Sequence, residues 1–198
     1  VGGIPVSRIS AVCGLQGTGK SYLAALIAAN AQKKGKKVIY FDSESAISPE
    51  FLESCGCDIS EDGFVYVQAA SVEMVGETME LLMQNGKDYF FVWDSIAMTP
   101  TVSDIEGDFD PQSSMAMKAR VLSKTLSKLI IPIANTKSTL LVLNQLKMKI
   151  GLAPNLARLE EFKYFAPGGN SLLFAYSMDF WLTKPSSKDS FVYDANGS

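Results

Sequence analysis

A short segment near the start of the chain has the residue types and spacing of a phosphate-binding loop. Residues 14–21 read GLQGTGKS and match G-x-x-x-x-G-K-[ST] at all four fixed positions, after an apolar segment and before an alanine-rich one. Glycines allow successive backbone N–H groups to face phosphate oxygens, the Lys20 ammonium can reach β- and γ-phosphates, and the Ser21 hydroxyl can bind Mg²⁺. The alternative is a glycine-rich turn with a solvated lysine. The apparent strand–loop–helix setting favours a phosphate site.

Acidic side chains at the ends of two other apolar segments could serve this site. Asp42 and Asp94 each end such a segment, and Glu44 lies two residues beyond Asp42. Asp94 is placed to hold Mg²⁺ through water or Ser21, although an acid at a strand end can instead cap the next turn. Glu44 is the best candidate for a general base that activates water, the alternative being a solvated loop carboxylate. Phe51 could stack on a nucleobase or pack in the core.

Apolar segments alternate with helical patterns along the chain, as in an α/β domain. The expected strands cover residues 8–13, 37–42, 64–67, 89–94, 139–144 and 174–183, and the expected helices cover 21–34, 49–56, 72–86 and a long segment from near Pro111. Strands that are buried on both faces and separated by helices predict a mainly parallel, twisted sheet flanked by helices. Trp93 and Trp181 lie in apolar strands and are expected in the core. Because the carboxyl ends of parallel strands share one edge, we expect these groups to converge there: Gly14, Asp42–Glu44, Asp94–Ser95 and Asn144–Gln145.

Length and composition indicate one globular domain. The 198 residues are 47% hydrophobic, and the chain begins without Met, so we expect a single core domain over 1–198 that is part of a longer protein. No apolar run approaches the roughly 20 residues that a membrane helix needs. Cys13, Cys55 and Cys57 lack the second pair or the histidines of a zinc site, which favours a reduced, cytosolic compartment.

The net charge of −3 hides an uneven distribution of charge. Residues 41–110 contain 16 acids and one base, whereas residues 118–163 contain nine bases and two acids. The electrostatic footprint for a nucleic acid is local rather than global. The basic region therefore keeps nucleic acid as a candidate ligand.

Two groups of bases in this region are candidates for contact with nucleic acid. Arg120, Lys124 and Lys128 recur every four residues along an amphipathic helix that we expect to kink or end near Pro132. An ordinary solvated face is the alternative for this group. The second group lies in a long connection that shows no clear helical or strand periodicity. It consists of Lys147, Lys149, Arg158 and Lys163. Rings that could stack on bases are interleaved with it, namely Phe162, Tyr164 and Phe165, although a flexible surface loop is again the alternative.

Six segments, taken together, resemble the core of the RecA recombinases in order and approximate spacing. They are GLQGTGKS (14–21), FDSESAISPEF (41–51), FFVWDS (90–95), IEGDFD (105–110), NQLKMKIG (144–151) and PGGNSLLFAYS (167–177). NQLKMKIG and GGN are far more specific than the phosphate loop. FDSE followed by ISP is also similar to the phage UvsX branch. The resemblance implies a RecA-like P-loop NTPase core, in a protein whose N-terminal oligomerisation segment and C-terminal region lie outside this chain.

The resemblance also implies an activity and its cofactors. A member of this family would be a DNA-dependent ATPase that uses ATP and Mg²⁺ and binds single-stranded DNA as a helical filament. It would catalyse homologous pairing and strand exchange with double-stranded DNA, in recombination and repair. The resemblance implies no membrane partner and a cytoplasmic location in a bacterial cell, with a phage genome as one source.

By position, the resemblance assigns roles to individual residues. The ATP-binding residues would be Gly14, Leu15, Gln16, Gly17, Thr18, Gly19, Lys20, Ser21, Tyr22 and Phe51, the last by stacking on adenine. The metal site would be Ser21 and Asp94. The catalytic residues would be Lys20, Glu44 as the base, and Gln145 as the sensor of the γ-phosphate at the start of the second DNA-binding loop. The DNA-binding residues would be Ile105, Glu106, Gly107, Arg120, Lys147, Met148, Lys149, Arg158, Lys163, Gly168, Gly169 and Asn170.

The chain departs from the family pattern in places, and other functions stay open. Twenty-two residues separate Gln145 from Gly168, more than in bacterial RecA; Ser45 occupies the position of a histidine and Leu173 that of a lysine. A hexameric helicase or another DNA-dependent motor on the same core is the main alternative. A small-molecule phosphotransferase would need an arginine-rich lid, and the chain has only three arginines. A regulator without turnover is disfavoured by Glu44.

Overall fold

The computed structural model describes residues 3–107, 111–149, 164–167 and 170–183. In chain order its elements are β1 Ile9–Gly14, α1 Lys20–Gln32, β2 Lys37–Asp42, α2 Pro49–Ser54, β3 Phe64–Gln68, α3 Val72–Met83, β4 Tyr89–Asp94, α4 Val102–Glu106, α5 Pro111–Thr136, β5 Thr139–Gln145, β6 Lys147–Met148, β7 Tyr164–Phe165, α6 Asn170–Ala175 and β8 Met178–Leu182. From β1 to β4, strands alternate with helices as the sequence predicts, whereas the sequence did not predict α4, β6 and β7. A single domain over 1–198 stays a prediction.

Six of the strands form one parallel sheet, which confirms the expected α/β fold class. The strand order is β3-β2-β4-β5-β1-β8, and every neighbouring pair is parallel. The register places Gly14 beside Gln145 and Asp42 beside Asp94. The carboxyl ends of β1, β2, β4 and β5 therefore meet at one edge, and their polar residues lie close together.

Helices cover both faces of the sheet, so its central strands are buried on both sides. On one face, Phe91 and Trp93 of β4 pack with Met79 of α3 and Leu126 of α5. On the other face, the small alanines of α1 allow that helix to lie close to the central strands. It packs there against Tyr40 of β2, Val92 of β4 and Leu141 of β5. This two-sided burial explains why the strands read as continuous apolar runs.

Two sequence expectations about the fold are wrong. Residues 174–183 do not form one strand, because α6 continues to Ala175 and β8 covers only Met178–Leu182; periodicity does not separate strand from helix in short apolar runs. Trp93 is fully buried as expected, but Trp181 is 39% exposed because β8 is an edge strand. Of the two outcomes expected near Pro132, an end of helix α5 is excluded because the helix continues to Thr136, whereas a kink at the proline stays a prediction. Leu129 and Ile133 are both fully buried around the proline, and their packing offsets the roughly 3 kcal/mol that a proline costs inside a helix.

Among the helices that the structure describes, none combines the length and the apolar character needed to cross a bilayer.

Candidate nucleotide site

The glycines of residues 14–21 build a tight connection from β1 to α1. Gly17 and Gly19 have φ values of 68° and 84°, a region that residues with a Cβ rarely adopt. At Gly14, a Cβ would lie 2.5 Å from Thr18 Oγ1 and 3.0 Å from the carbonyl oxygen of Leu182. The loop therefore needs glycine at these positions, and it presents the N-terminus of α1 to a ligand. This geometry fits a nucleotide phosphate group.

The Lys20 ammonium lies over the loop that precedes it. Lys20 Nζ donates hydrogen bonds to the carbonyl oxygens of Gly14 at 3.2 Å and Leu15 at 3.0 Å. Burial lowers the pKa of Lys20, and the nearby carboxylates of Asp94 and Glu44 oppose that shift. The side chain thus places a positive charge among acids, where phosphate oxygens would compete for it.

Asp94 is one of two buried carboxylates of the site, and two hydroxyls donate to it. Ser21 Oγ lies 2.7 Å and Tyr40 Oη 2.9 Å from Asp94 Oδ2. Burial raises the pKa of Asp94, the two hydroxyl donors lower it, and the negative charges of Asp42 and Glu44 raise it again. The Ser21–Asp94 contact brings together the two residues that the sequence assigns to Mg²⁺.

The candidate metal ligands Ser21 and Asp94 fit Mg²⁺ held together with a nucleotide, and do not form a complete cage by themselves. Among the described residues, no cluster of three or more His, Cys, Asp or Glu side chains is arranged to hold a metal ion. Mg²⁺ in nucleotide sites commonly takes one or two protein oxygens, and water and phosphate oxygens complete its octahedron. Ser21 and Asp94 would supply such protein oxygens.

Glu44 enters the same cleft from the loop after β2. Its Oε1 accepts a hydrogen bond from Ser95 Oγ at 3.0 Å, while its backbone N–H donates to Asp42 Oδ1 at 2.9 Å. The carboxylate is exposed rather than buried. A carboxylate that is oriented by a neighbour and open to water can act as a general base.

Gln145 connects the cleft with the residues that follow β5. The cleft has a volume of about 370 Å³ and is lined by Gln16, Gly17, Lys20, Ser21, Asp42, Glu44, Ala46, Asp94, Ser95, Met98 and Gln145. The Gly14 carbonyl oxygen accepts from the backbone N–H of Leu146 at 3.0 Å, which ties the end of β5 to the start of the phosphate loop. On the other side of Gln145, Asn144 Nδ2 donates to the Pro167 carbonyl oxygen at 2.9 Å.

The two aromatic residues assigned to ATP lie beside each other. The rings of Tyr22 and Phe51 are tilted by 59°, with centroids 6.4 Å apart. Tyr22 is 54% exposed, whereas Phe51 is partly buried against the core on the α1 face of the sheet. Ser48 caps α2 by accepting from the Phe51 backbone N–H, which fixes the start of that helix. Stacking of adenine on Phe51 stays a prediction.

The candidate DNA-binding residues are only partly covered by the structure. Lys147, Met148 and Lys149 are exposed, and β6 pairs with β7 in an antiparallel two-stranded sheet. Ile105 and Glu106 end α4, Gly107 follows them, and all three are exposed, as is Arg120 on α5. Asn170 is the first residue of α6. The remaining candidates lie outside the described residues: Arg158, Lys163, Gly168 and Gly169.

Acidic side chains of α3 lie beside part of the basic stripe of α5, which consists of Arg120, Lys124 and Lys128. Lys128 Nζ lies 3.8 Å from Glu80 Oε1, and both residues line a groove that also contains Lys124 and Glu77. The contacts of Lys124 and Lys128 match the alternative of an ordinary solvated face. Within the stripe, only Arg120 was assigned to DNA, and that role stays a prediction.

Sequence reasoning missed Tyr40 and Lys118, and it placed Ser95 at this edge without its contact with Glu44. Tyr40 donates to Asp94, Ser95 donates to Glu44, and Lys118 Nζ donates to the Ala97 carbonyl oxygen at 2.7 Å in the turn after β4. Burial lowers the pKa of Lys118. The one available signal was the tyrosine inside an apolar strand, since a buried tyrosine hydroxyl usually has a hydrogen-bond partner.

Comparison with known proteins gives one family. A family model described as the RecA N-terminal domain matches residues 1–186. Similar proteins include "Protein RecA" of Streptomyces coelicolor, 35% identical over 152 residues, and "Protein RecA" of Mannheimia haemolytica, 34% identical over 152 residues. Each match covers 77% of this chain and 40% of the relative, so the chain spans about 40% of the length of these curated relatives. The similarity to the phage UvsX branch stays a prediction.

Proposed function

Because this chain belongs to the RecA family, we propose that the whole protein is an ATP-dependent DNA recombinase that pairs homologous strands and exchanges them. The observation that carries the proposal is the shared sheet edge. One cleft is lined by Lys20, Glu44, Asp94 and Gln145. The exposed Lys147 follows Gln145 by only two residues. A nucleotide site and a basic segment that begin at the same strand end can be coupled. The match to the RecA family disfavours the helicase alternative.

The residues of the cleft divide the work of ATP hydrolysis. When bound, ATP supplies the phosphoanhydride bond to be broken, and Mg²⁺ neutralises phosphate charge. The loop amides and Lys20 bind the phosphates, while Ser21 and Asp94 hold the metal. Glu44, oriented by Ser95, accepts the proton of the attacking water.

DNA binding completes the proposed activity. The exposed Lys147 and Lys149 would bind phosphates of single-stranded DNA, and Met148 between them would contact bases. Arg120 and the turn at Ile105–Gly107 would add contacts. The whole protein would form helical filaments on single-stranded DNA, take up homologous double-stranded DNA, and work in the cytoplasm of a bacterial cell.

The decisive experiment measures ATP turnover by the full-length protein with and without single-stranded DNA. We expect single strands to stimulate turnover, and we expect joint molecules with a homologous duplex but not with a heterologous one. Lys20→Ala should weaken ATP binding and abolish both activities, because it removes the charge that lies at the phosphate loop. A hexameric ring that unwinds short duplexes without regard to homology would contradict the proposal.

A further inference from the structure

We propose that Asp42 is the positioning residue of the candidate general base, because its carboxylate folds loop 43–47 around itself and so sets where Glu44 lies. The inference rests on the ATP turnover proposed above and assigns a separate role within the same cleft. Asp42 ends β2 and is 1% exposed, although it lines a polar cleft. A buried carboxylate needs hydrogen-bond donors or a cation, and the donors that Asp42 binds indicate its role.

Most donors to the Asp42 carboxylate come from the loop that carries Glu44. Oδ1 accepts from the backbone N–H of Glu44 at 2.9 Å, and Oδ2 accepts from the backbone N–H of Ile47 at 3.2 Å. The third donor is the Tyr66 hydroxyl of β3, 3.1 Å from Oδ2. An Asp side chain that binds backbone N–H groups two and more residues ahead stabilises a turn. Asp42 therefore holds both ends of the short segment that contains Glu44.

The neighbouring carboxylate of Asp94 shows that the two acids have different roles. Asp42 and Asp94 lie side by side in register, but both donors to Asp94 share Oδ2, and no donor among the described residues reaches its Oδ1. By contrast, donors bind both oxygens of Asp42 and take three of its about four lone-pair positions. Asp94 is thus the better metal ligand, and Asp42 shapes the loop.

The loop depends on this support because its own conformation is unfavourable. Ser45, directly after Glu44, has φ 52°, in the left-handed region that non-glycine residues rarely adopt. Ser43 anchors the β4 side, where its backbone N–H donates to the Asp94 carbonyl oxygen at 2.7 Å. Beyond Ser43, Asp42 supplies the backbone contacts of Glu44 and Ile47. Without them, Glu44 would keep only its side-chain contact with Ser95.

A double-mutant cycle on turnover tests this role. Asp42→Asn keeps the side-chain volume, but its amide nitrogen cannot accept a hydrogen bond, so one of the two loop N–H groups loses its acceptor. We expect turnover to fall at least about tenfold, as for a misplaced general base, with Mg²⁺-nucleotide binding within about twofold of wild type. Added to Glu44→Gln, the same change should have no further effect, because Asp42 acts through Glu44. Wild-type turnover in Asp42→Asn, or a full additional loss in the double variant, would overturn the inference.

Amide hydrogen exchange tests the positioning without nucleotide. In Asp42→Asn, exchange should be at least about tenfold faster at the Glu44 or the Ile47 amide, whichever faces the new amide nitrogen, because that N–H loses its acceptor. Asp58→Asn is the matched control: Asp58 Oδ1 accepts from the Ser60 N–H at 3.0 Å in a turn before β3, and its loss should leave turnover and exchange at Glu44 unchanged. Unchanged protection in Asp42→Asn would overturn the inference.

A milder variant keeps the test decisive if Asp42→Asn does not fold. Tyr66→Phe removes one hydroxyl of a residue that is 45% exposed, and turnover should fall about two- to tenfold, the equivalent of one hydrogen bond. Unchanged turnover and unchanged exchange at Ile47 in Tyr66→Phe would count against the role of Asp42. A wild-type protein without ATP turnover would refute the proposed function, whereas faster exchange in Asp42→Asn would still support the positioning role.

Discussion

Replacing Gln145 by alanine tests whether the nucleotide cleft communicates with the basic segment after β5. Gln145 lines the cleft with Lys20 and Glu44, lies beside Gly14 in register, and precedes Lys147 by two residues. Its amide can donate a hydrogen bond to a γ-phosphate, which ADP lacks. A ligand shifts a conformational equilibrium only through contacts that differ between states. We therefore expect Gln145→Ala to bind ATP nearly normally but to lose most of the effect of ATP on DNA affinity.

The size of the effect follows from one hydrogen bond to a charged group. Such a bond contributes about 1.5–3 kcal/mol, or a factor of about 10–150 in an equilibrium constant. Wild-type protein should therefore bind single-stranded DNA about 10- to 150-fold more tightly with ATP than with ADP, and DNA should tighten ATP binding by the same factor. In Gln145→Ala this ratio should approach one. The hydrogen bond from Asn144 to Pro167, which holds the other end of the connection, stays in place.

Fluorescence anisotropy of a labelled single strand, titrated with full-length protein under each nucleotide, measures this ratio. Gln84→Ala is the matched control, because Gln84 is also an amide but is exposed at the end of α3 and does not line the cleft. The control should keep the wild-type ratio. A wild-type ratio in Gln145→Ala would refute the coupling. Loss of ATP binding itself would show that Gln145 holds the nucleotide rather than sensing it.

Three other measurements address the remaining parts of the site. Glu44→Gln should bind ATP like wild type but hydrolyse it at least about 100-fold more slowly, because an amide cannot take the proton; a matching loss of binding would contradict this. Lys147→Ala and Lys149→Ala should each make the log–log salt dependence of single-strand affinity shallower by about 0.7, and unchanged slopes would mean solvated side chains. Asp94→Asn should raise the Tm of the nucleotide-free protein at pH 7. Burial raises the pKa of Asp94 in the folded protein, so the free energy of unfolding of the wild type falls as pH rises above the pKa of an aspartate in the unfolded chain. The Tm values of wild type and Asp94→Asn should therefore converge below about pH 4, where Asp94 is protonated in both states. Equal Tm values at pH 7 would count against a buried, disfavoured charge.

Much of the fold and of the nucleotide site could be predicted because their signals are local. The phosphate loop depends on glycines, Lys20 and Ser21 within eight positions, and the structure confirms the strand and helix that flank it. The parallel sheet follows from apolar runs separated by helical patterns. Once the sheet was predicted, the convergence of Asp42, Asp94 and Gln145 followed from the rule that carboxyl ends of parallel strands share an edge.

Exposure and helix continuation could not be predicted in the same way, since they depend on neighbours far along the chain. Trp181 lies in an apolar segment, but its strand is at the sheet edge and therefore leaves the ring partly exposed. Pro132 is a local signal for a helix end, yet tertiary packing of Leu129 and Ile133 outweighs it.

The sequence by itself determined which chemical groups are present at this sheet edge: a phosphate loop, a lysine, three acids and an amide. Only the tertiary structure decided which of them contact each other. Ser95 donates a hydrogen bond to Glu44 and Tyr40 donates one to Asp94 across 51 and 54 residues of chain, and Asp42 accepts hydrogen bonds from its own loop. Strand order and register set these contacts, and they arise from packing of the whole sheet, which no short segment encodes.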